Sequence, residues 1–288
     1  MAFIGLVSDS TAFLPDEVVA RYGIRITPLY IKWGEQTYRD SVDLTAAEFY
    51  QRLPHSSVLP TTSQPSVGDF EKVYRELVDQ GASGIISVHL SAGISGTVNS
   101  ANLAAQQVGS VPIEVVDTRC AGAMHMLAVE TGARAIAAGA NLQESVAAIN
   151  RVVEAHRTVF TVDTLEYLYK GGRIGGAAAL LGSMLQFKPL LHFRDGKIDA
   201  LERVRKSSRA LQRMVEVMVS WVGNTEPMQC VIMHADCMDR VEAAVELLKQ
   251  QISVADVRVT LLTPVIGAHV GPGTLGLCCC PISALNLA

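Results

Sequence analysis

The chain has 288 residues, 49% hydrophobic and 18% charged, so it can bury a large core and carries too little charge for disorder. Lys plus Arg number 24 and Asp plus Glu 28, and the resulting net charge of −4 argues against a nucleic-acid-binding surface. No polybasic run marks an anionic membrane surface, and the length predicts about two domains.

The first seven residues, Met1-Ala2-Phe3-Ile4-Gly5-Leu6-Val7, are apolar but lack a basic flank and a cleavage site. They predict a buried strand over 4–7 rather than a secretory leader. Residues 24–31 read as a second strand. Ser66, with Asp69 three residues on, is an N-cap, and Val67, Phe70, Val73 and Leu77 mark one face of a helix that Gly81 stops. Residues 84–88 read as a strand, followed by a turn over 91–97 and a helix to Gly109. Residues 113–116 form a strand ending at Asp117, and an alanine-rich helix covers 121–138. Asn141 caps another helix, with Glu144 in the capping-box position. Strands alternating with helices predict a parallel sheet covered on both faces.

From residue 158 the pattern changes. Residues 159–162 are a strand, 165–170 a short helix stopped by Gly171-Gly172, and 177–185 a wholly apolar helix expected to be buried. Residues 190–194 and 197–204 flank Asp195-Gly196, the strongest short hairpin signal. A helix over 208–221, a strand over 230–233, a helix over 240–250 and a strand over 257–262 follow. The expected fold is α/β in two domains. Residues 1–157 form an α/β/α domain on a parallel sheet, and residues 158–288 an α+β domain with a mainly antiparallel sheet. No Asp, Glu, Lys or Arg occurs after Arg258, a length able to cross a bilayer, but Pro264, Pro272, Pro281 and several glycines interrupt it. Buried strands joined by glycine loops are expected there, not a membrane-spanning helix.

The six cysteines are Cys120, Cys230, Cys237 and the run Cys278-Cys279-Cys280, with no CxxC pair. Neighbours on a strand point to opposite faces, so the run predicts small core hydrophobes in a reducing, cytoplasmic setting and not a metal site. No P-loop, no GxGxxG between strand and helix, no HExxH and no EF-hand loop is present, so no nucleotide or metal cofactor is expected.

Two turns are rich in hydroxyls. One holds Thr61, Thr62, Ser63 and Ser66 directly before a helix; the other holds Ser91, Ser95, Gly96 and Thr97 after a strand. Each turn by itself can be simple capping. Two in succession carry more hydroxyls than capping requires and can hold a carboxylate or phosphate. His269, in a glycine-rich stretch, is either structural or beside that ligand, and His234 reads as a helix-capping neighbour. Lys170, Arg173, Arg203, Arg205 and Lys206 flank the glycine turn and the hairpin, as a solvated face or a partner dock. Ser10 and Ser95 leave a serine esterase as an alternative, although Gly93-Ile94-Ser95-Gly96 is not GxSxG.

Taken in order, several stretches resemble the DegV family of fatty-acid-binding proteins, which includes the lipid-carrying subunit of bacterial fatty acid kinase. They are Ser8-Asp9-Ser10-Thr11, Tyr38-Arg39-Asp40-Ser41-Val42-Asp43, Thr62-Ser63-Gln64-Pro65-Ser66 and Ile94-Ser95-Gly96-Thr97. Val116-Asp117-Thr118, Leu168-Tyr169-Lys170-Gly171-Gly172-Arg173-Ile174 and His269-Val270-Gly271-Pro272-Gly273 continue the series. The resemblance implies one long-chain fatty acid held between two domains, its carboxylate bonded by Thr62 and Ser95 with His269 nearby and Thr61, Ser63, Gly96 and Thr97 in support. It also implies that Arg173 and Arg203 or Arg205 face a separate kinase subunit, which brings ATP and makes the acyl-phosphate; the chain itself is then a carrier and not an enzyme. Residues 177–185 and Leu190-Leu191 are the expected tail lining. Cys278–Cys280, the C-terminal tail and Val98 depart from the family pattern. A regulatory protein for a non-lipid anionic metabolite is the alternative.

Overall fold

The structure, a computed structural model, describes residues 3–183, 187–205, 207–223 and 225–286. Short apolar runs become strands β1 (Phe3–Asp9), β2 (Arg25–Thr27), β3 (Tyr30–Trp33), β4 (Gln36–Arg39), β5 (Thr61–Ser63), β6 (Ala82–His89) and β7 (Ile113–Asp117). The later strands are β8 (Arg157–Thr161), β9 (Lys188–Arg194), β10 (Lys197–Val204), β11 (Met228–His234), β12 (Val254–Leu261) and β13 (Leu275–Pro281).

An all-parallel sheet has the order β2-β1-β6-β7. Side chains alternate across it, as the strand period of two demands. Val7 and Ile85 pack with Phe70, Tyr74 and Ala101 of the helices Val67–Asp79 and Thr97–Val108. Leu6, Ile86 and Val88 pack with Met124, Leu127 and Ile149 of the helices Ala123–Ala137 and Leu142–Ala155. Both faces are covered, so the strands are buried runs. Ser66 with Asp69 and Asn141 with Glu144 form complete capping boxes.

A second sheet, β10-β9-β8-β13-β11-β12, is antiparallel at every pair except β11 and β12. Asp195 and Gly196 both have positive φ, 50° and 75°, which is the backbone a two-residue hairpin requires. The helices Ser207–Val222 and Met238–Gln251 cover one face of this sheet, and the other joins the core shared with the parallel sheet. The cysteine run follows the strand period. Cys278 and Cys280 enter the shared core and Cys279 the other, with its Sγ 3.3 Å from Cys230 Sγ. All six thiols are buried and free, and no cluster of metal-ligating side chains occurs among the described residues.

The structure departs from expectation at three places. The expected strand over 24–31 is divided around Pro28, which cannot donate to a ladder; its second part, β3, pairs with β4 and β5 in a small antiparallel sheet. Thr61–Ser63 is therefore strand rather than a pre-helical turn. The stretch after Arg258 contains the helix Pro264–Val270, with Pro264 in the first turn where a missing N–H costs little. Finally, the expected buried helix over 177–185 is a 3₁₀ helix, Gly175–Ser183. Its period of three buries Ala177 and Leu180 and leaves Ala178, Ala179 and Leu181 exposed; residues 184 and 185 lie outside the described residues. No helix among the described residues is long and apolar enough to cross a membrane.

Candidate functional site

A cavity lies where the carboxyl ends of the parallel strands meet the inner face of the second sheet. It holds about 830 Å³ of atom-free space, its mouth included. Leu90 and Ile94 after β6, Phe160 on β8, Phe193 and Ile198 of the hairpin and Met233 on β11 supply apolar walls. Leu29, Leu262 and the helix Pro264–Val270 close another side. The expected tail-lining segments are elsewhere: residues 177–183 and Leu190-Leu191 do not line this cavity, and Leu190 and Leu191 are built into the two cores. Hairpin alternation instead turns Phe193 and Ile198 inward.

The lining also carries polar side chains, among them Thr62, Gln64, Ser95, Thr158, Arg173 and His269. Thr62 comes from β5, opposite Ile31, and its Oγ1 lies 2.6 Å from His269 Nε2. His269 is partly buried, and its Nδ1 is buried with no partner among the described residues. Burial, reinforced by the Arg173 charge, holds the imidazole down to about 4, so it is neutral at pH 7. The ring fits because Gly171 has no side chain; a Cβ there would collide with Nδ1. The Gly171-Gly172 pair is thus more than a helix stop.

Arg173 lines the same cavity. Its Nε donates to Ile94 O at 3.0 Å and its NH1 to Gly171 O at 2.8 Å, which ties the glycine turn to the loop of Ser95. The structure therefore places Arg173 in the cavity wall, whereas Arg203 and Arg205 are exposed on and after β10. Arg203 reaches Ala179 O at 3.4 Å, and the Arg205 guanidinium lies 5.9 Å from the centre of the Phe187 ring.

Ser95 serves two purposes. Its hydroxyl lines the cavity, accepts the Thr97 N–H at 3.3 Å and pairs with Thr97 Oγ1 at 2.8 Å. It braces the start of the helix Thr97–Val108, whose N-cap is Gly96, and lines the cavity as well. Gly96 is pressed against the Gln64 carboxamide, leaving no space for a Cβ, and so joins the two hydroxyl-rich segments. Ser63 lines the cavity, while Thr61 is exposed and does not. His234 sits at the end of β11, and the helix that follows has no side-chain cap.

Beneath the Ser95 loop is a buried network that sequence reasoning did not assemble. Asp9 Oδ2 accepts the Leu90 N–H at 3.1 Å and lies 3.0 Å from His89 Nδ1; its Oδ1 accepts from Thr11 N at 3.0 Å and from Thr11 Oγ1. Burial opposes the charge, yet the nearby His125 and His89 and the Thr11 hydroxyl hold the carboxyl at about 2. The charge thus anchors the first residue after β6. Its only sequence signal was Asp9 within a polar quartet ending an apolar strand.

A largely apolar cavity at the carboxyl ends of a parallel sheet, with hydroxyls, a carboxamide, an imidazole and a guanidinium in its lining, is the form of a ligand pocket in an α/β protein. The chain belongs to the DegV family: a family model described as "Uncharacterised protein, DegV family" matches residues 3–281. A DegV domain-containing protein of Halalkalibacterium halodurans is 35% identical over 277 residues, 96% of this chain and 98% of that one. A Thermus thermophilus DegV family protein, described by its fatty acid binding, is 36% identical with a TM-score of 0.91, covering 97% of this chain and 99% of that one. A stearic acid-binding protein from Eubacterium ventriosum is 27% identical with a TM-score of 0.85, covering 98% of both chains.

Proposed function

We propose that the chain binds one long-chain fatty acid, its tail in the apolar cavity and its carboxylate at Thr62, Ser95 and His269, with Arg173 beside them. The observation that supports this most is the uneven lining, apolar on most sides and polar where Thr62 meets His269. Family membership and the fatty acid binding of its relatives agree with it. A tail leaving water contributes roughly 0.8 kcal/mol per methylene, on the order of 11 kcal/mol gross for sixteen carbons. Hydrogen bonds to the carboxylate, about 1.5–3 kcal/mol each, offset its desolvation and fix the direction of entry. Charge complementarity at Arg173 adds to the same end.

The chain then acts as a carrier. A separate ATP-dependent fatty acid kinase would phosphorylate the bound acid to an acyl-phosphate, docking at Arg173 and at the exposed Arg203 and Arg205. Two structural units, 1–157 and 158–288, would enclose the tail. Native mass spectrometry followed by solvent extraction tests the ligand reading. A near-stoichiometric long-chain fatty acid is expected; an empty protein that also fails to take up palmitate or oleate would overturn it and favour a non-lipid anion.

A further inference from the structure

Two of the polar motifs, Ser8-Asp9-Ser10-Thr11 and Tyr38-Arg39-Asp40-Ser41, contribute nothing to the cavity lining. They converge behind the helix Pro264–Val270, which supplies Val265, Ile266, His269 and Val270 to that lining. Asp40 is fully buried, and its Oδ1 accepts the Val265 N–H at 3.0 Å across 225 residues of chain. The Asp40 N–H donates to Leu29 O at 2.8 Å, and the Leu29 N–H donates to Ser10 Oγ at 3.2 Å. Leu29 lines the cavity too, so one residue fastens two of its walls.

The helix needs this support. Seven residues make two turns at most, too few to persist on helix propensity, and the first N–H groups have no partner within the helix. Thr263, at the N-cap, makes no side-chain capping bond. On its other side Gly267 sits against Tyr50 and Phe49 with no room for a Cβ, so the helix has little freedom to settle elsewhere.

We propose that Asp40 is a positioning residue for the ligand site: its carboxylate holds the first turn of the helix Pro264–Val270 and thereby sets His269 against Thr62. The inference deepens the fatty-acid reading of this cavity and rests on it only for its effect on affinity. The bond is charge-assisted, and such bonds are about twice as strong as neutral ones. Burial raises the Asp40 carboxyl to about 6, and the Asp9 charge adds to that rise, so mild acid removes the charge. Two groups that act on Asp40 or pack against it keep their charge state in that window. Asp9 is held at about 2 and stays ionised, and the Tyr50 phenol is pushed up by burial and stays neutral, with Asp40, Cys237 and Asp236 adding to its rise. On the far side the charged group acting on His269 is Arg173, and His269 itself stays neutral down to about 4. Behind Asp9 stand the buried His89 and His125, which contact Asp9 and not Asp40, and burial holds the His125 imidazole down. Acidification from pH 7.5 to 5 therefore loosens the helix through Asp40, and a step carried by any other group would survive in Asp40→Asn.

The test is nuclear magnetic resonance on the ligand-free full chain, with the His269 ring assigned by His269→Gln. The Val265 amide proton and the His269 ring are expected to shift together in the wild type as pH falls from 7.5 to 5, with a midpoint near 6. In Asp40→Asn, shown to be folded by circular dichroism, both shifts are expected to disappear. A step that survives in Asp40→Asn overturns the proposal. A wild type in which the Val265 amide does not titrate overturns it whether or not the variant folds. Palmitate affinity is a separate readout: Asp40→Asn is expected to bind about tenfold more weakly at pH 7.5. If neither protein binds palmitate, the ligand reading falls, and the resonances still decide the role of Asp40.

Discussion

At the scale of single residues, the proposed carboxylate receptor has an uncharged imidazole. The neutral donors offset the desolvation of a carboxylate, and the one guanidinium supplies the opposite charge. Ser95→Ala should weaken palmitate binding by about 1–2 kcal/mol, measured by competition. Because Ser95 Oγ also accepts the Thr97 N–H, the same variant should lose about 1 kcal/mol of stability and remain folded. Unchanged affinity would remove Ser95 from the receptor. Gly171→Ala should be more damaging to binding than to folding, since the added methyl displaces the His269 ring; isothermal titration with palmitate, beside a thermal melt, separates the two effects.

At the scale of elements, the hairpin β9–β10 is tied to the loop after β6. Ser91 Oγ donates to Gly196 O at 2.6 Å, and the exposed Arg119 and Asp195 approach to 3.1 Å. Gly196 has a φ of 75° and its Cα faces Ser91 Oγ, so Gly196→Ala should cost at least about 1 kcal/mol and disturb the wall formed by Phe193 and Ile198. Further along, β10 presents Arg203, and Arg205 follows it, both toward solvent. Arg203→Ala combined with Arg205→Ala should leave palmitate binding intact and abolish acyl-phosphate formation when the kinase is supplied. Full activity of that double variant would remove these arginines from the docking surface. The pair is a cleaner probe than Arg173, whose guanidinium also builds the cavity.

At the scale of the whole molecule, one hydrophobic core runs from Leu6 and Ile86 of the parallel sheet to Phe160 and Cys278 of the other. The Arg258–Glu130 pair, at 2.7 Å, and the Asp40–Val265 bond cross in the same direction. We therefore propose that the units 1–157 and 158–288 melt in one cooperative transition; two resolved calorimetric peaks would refute it. Acid should lower stability in a defined window. His269 and His156 are held down to about 4 by burial, so the unfolded chain, with its imidazoles near 6.5, takes up protons first. Stability is therefore present above about 6.5 and is lost as pH falls toward 4, on the order of 3 kcal/mol for each group. Asp40, raised to about 6, opposes this in part. His156→Gln should flatten the fall in melting temperature between pH 6.5 and 4; an unchanged slope would exclude His156 as a source.

Much of this molecule was determined by local sequence. The capping boxes at Ser66 and Asn141, the Asp195-Gly196 turn and the alternation of strand and helix act over a few residues, so their physics is complete within a short window. Thr62, Ser95 and His269 were legible as types, through hydroxyls in excess of capping and a histidine among glycines. What only the tertiary structure decided is which groups meet. Arg173, which the resemblance sets facing a kinase subunit, also lines the cavity, where its donors find the carbonyls of Ile94 and Gly171. Residues 177–185 are expected to line the tail; of the described part, the three-residue period buries only Ala177 and Leu180. Asp9, Asp40 and His269 act through residues some 80 to 225 positions away, at Leu90, Val265 and Thr62. Such contacts follow from which strands lie side by side and from where burial removes water, and neither is written in any local stretch of chain.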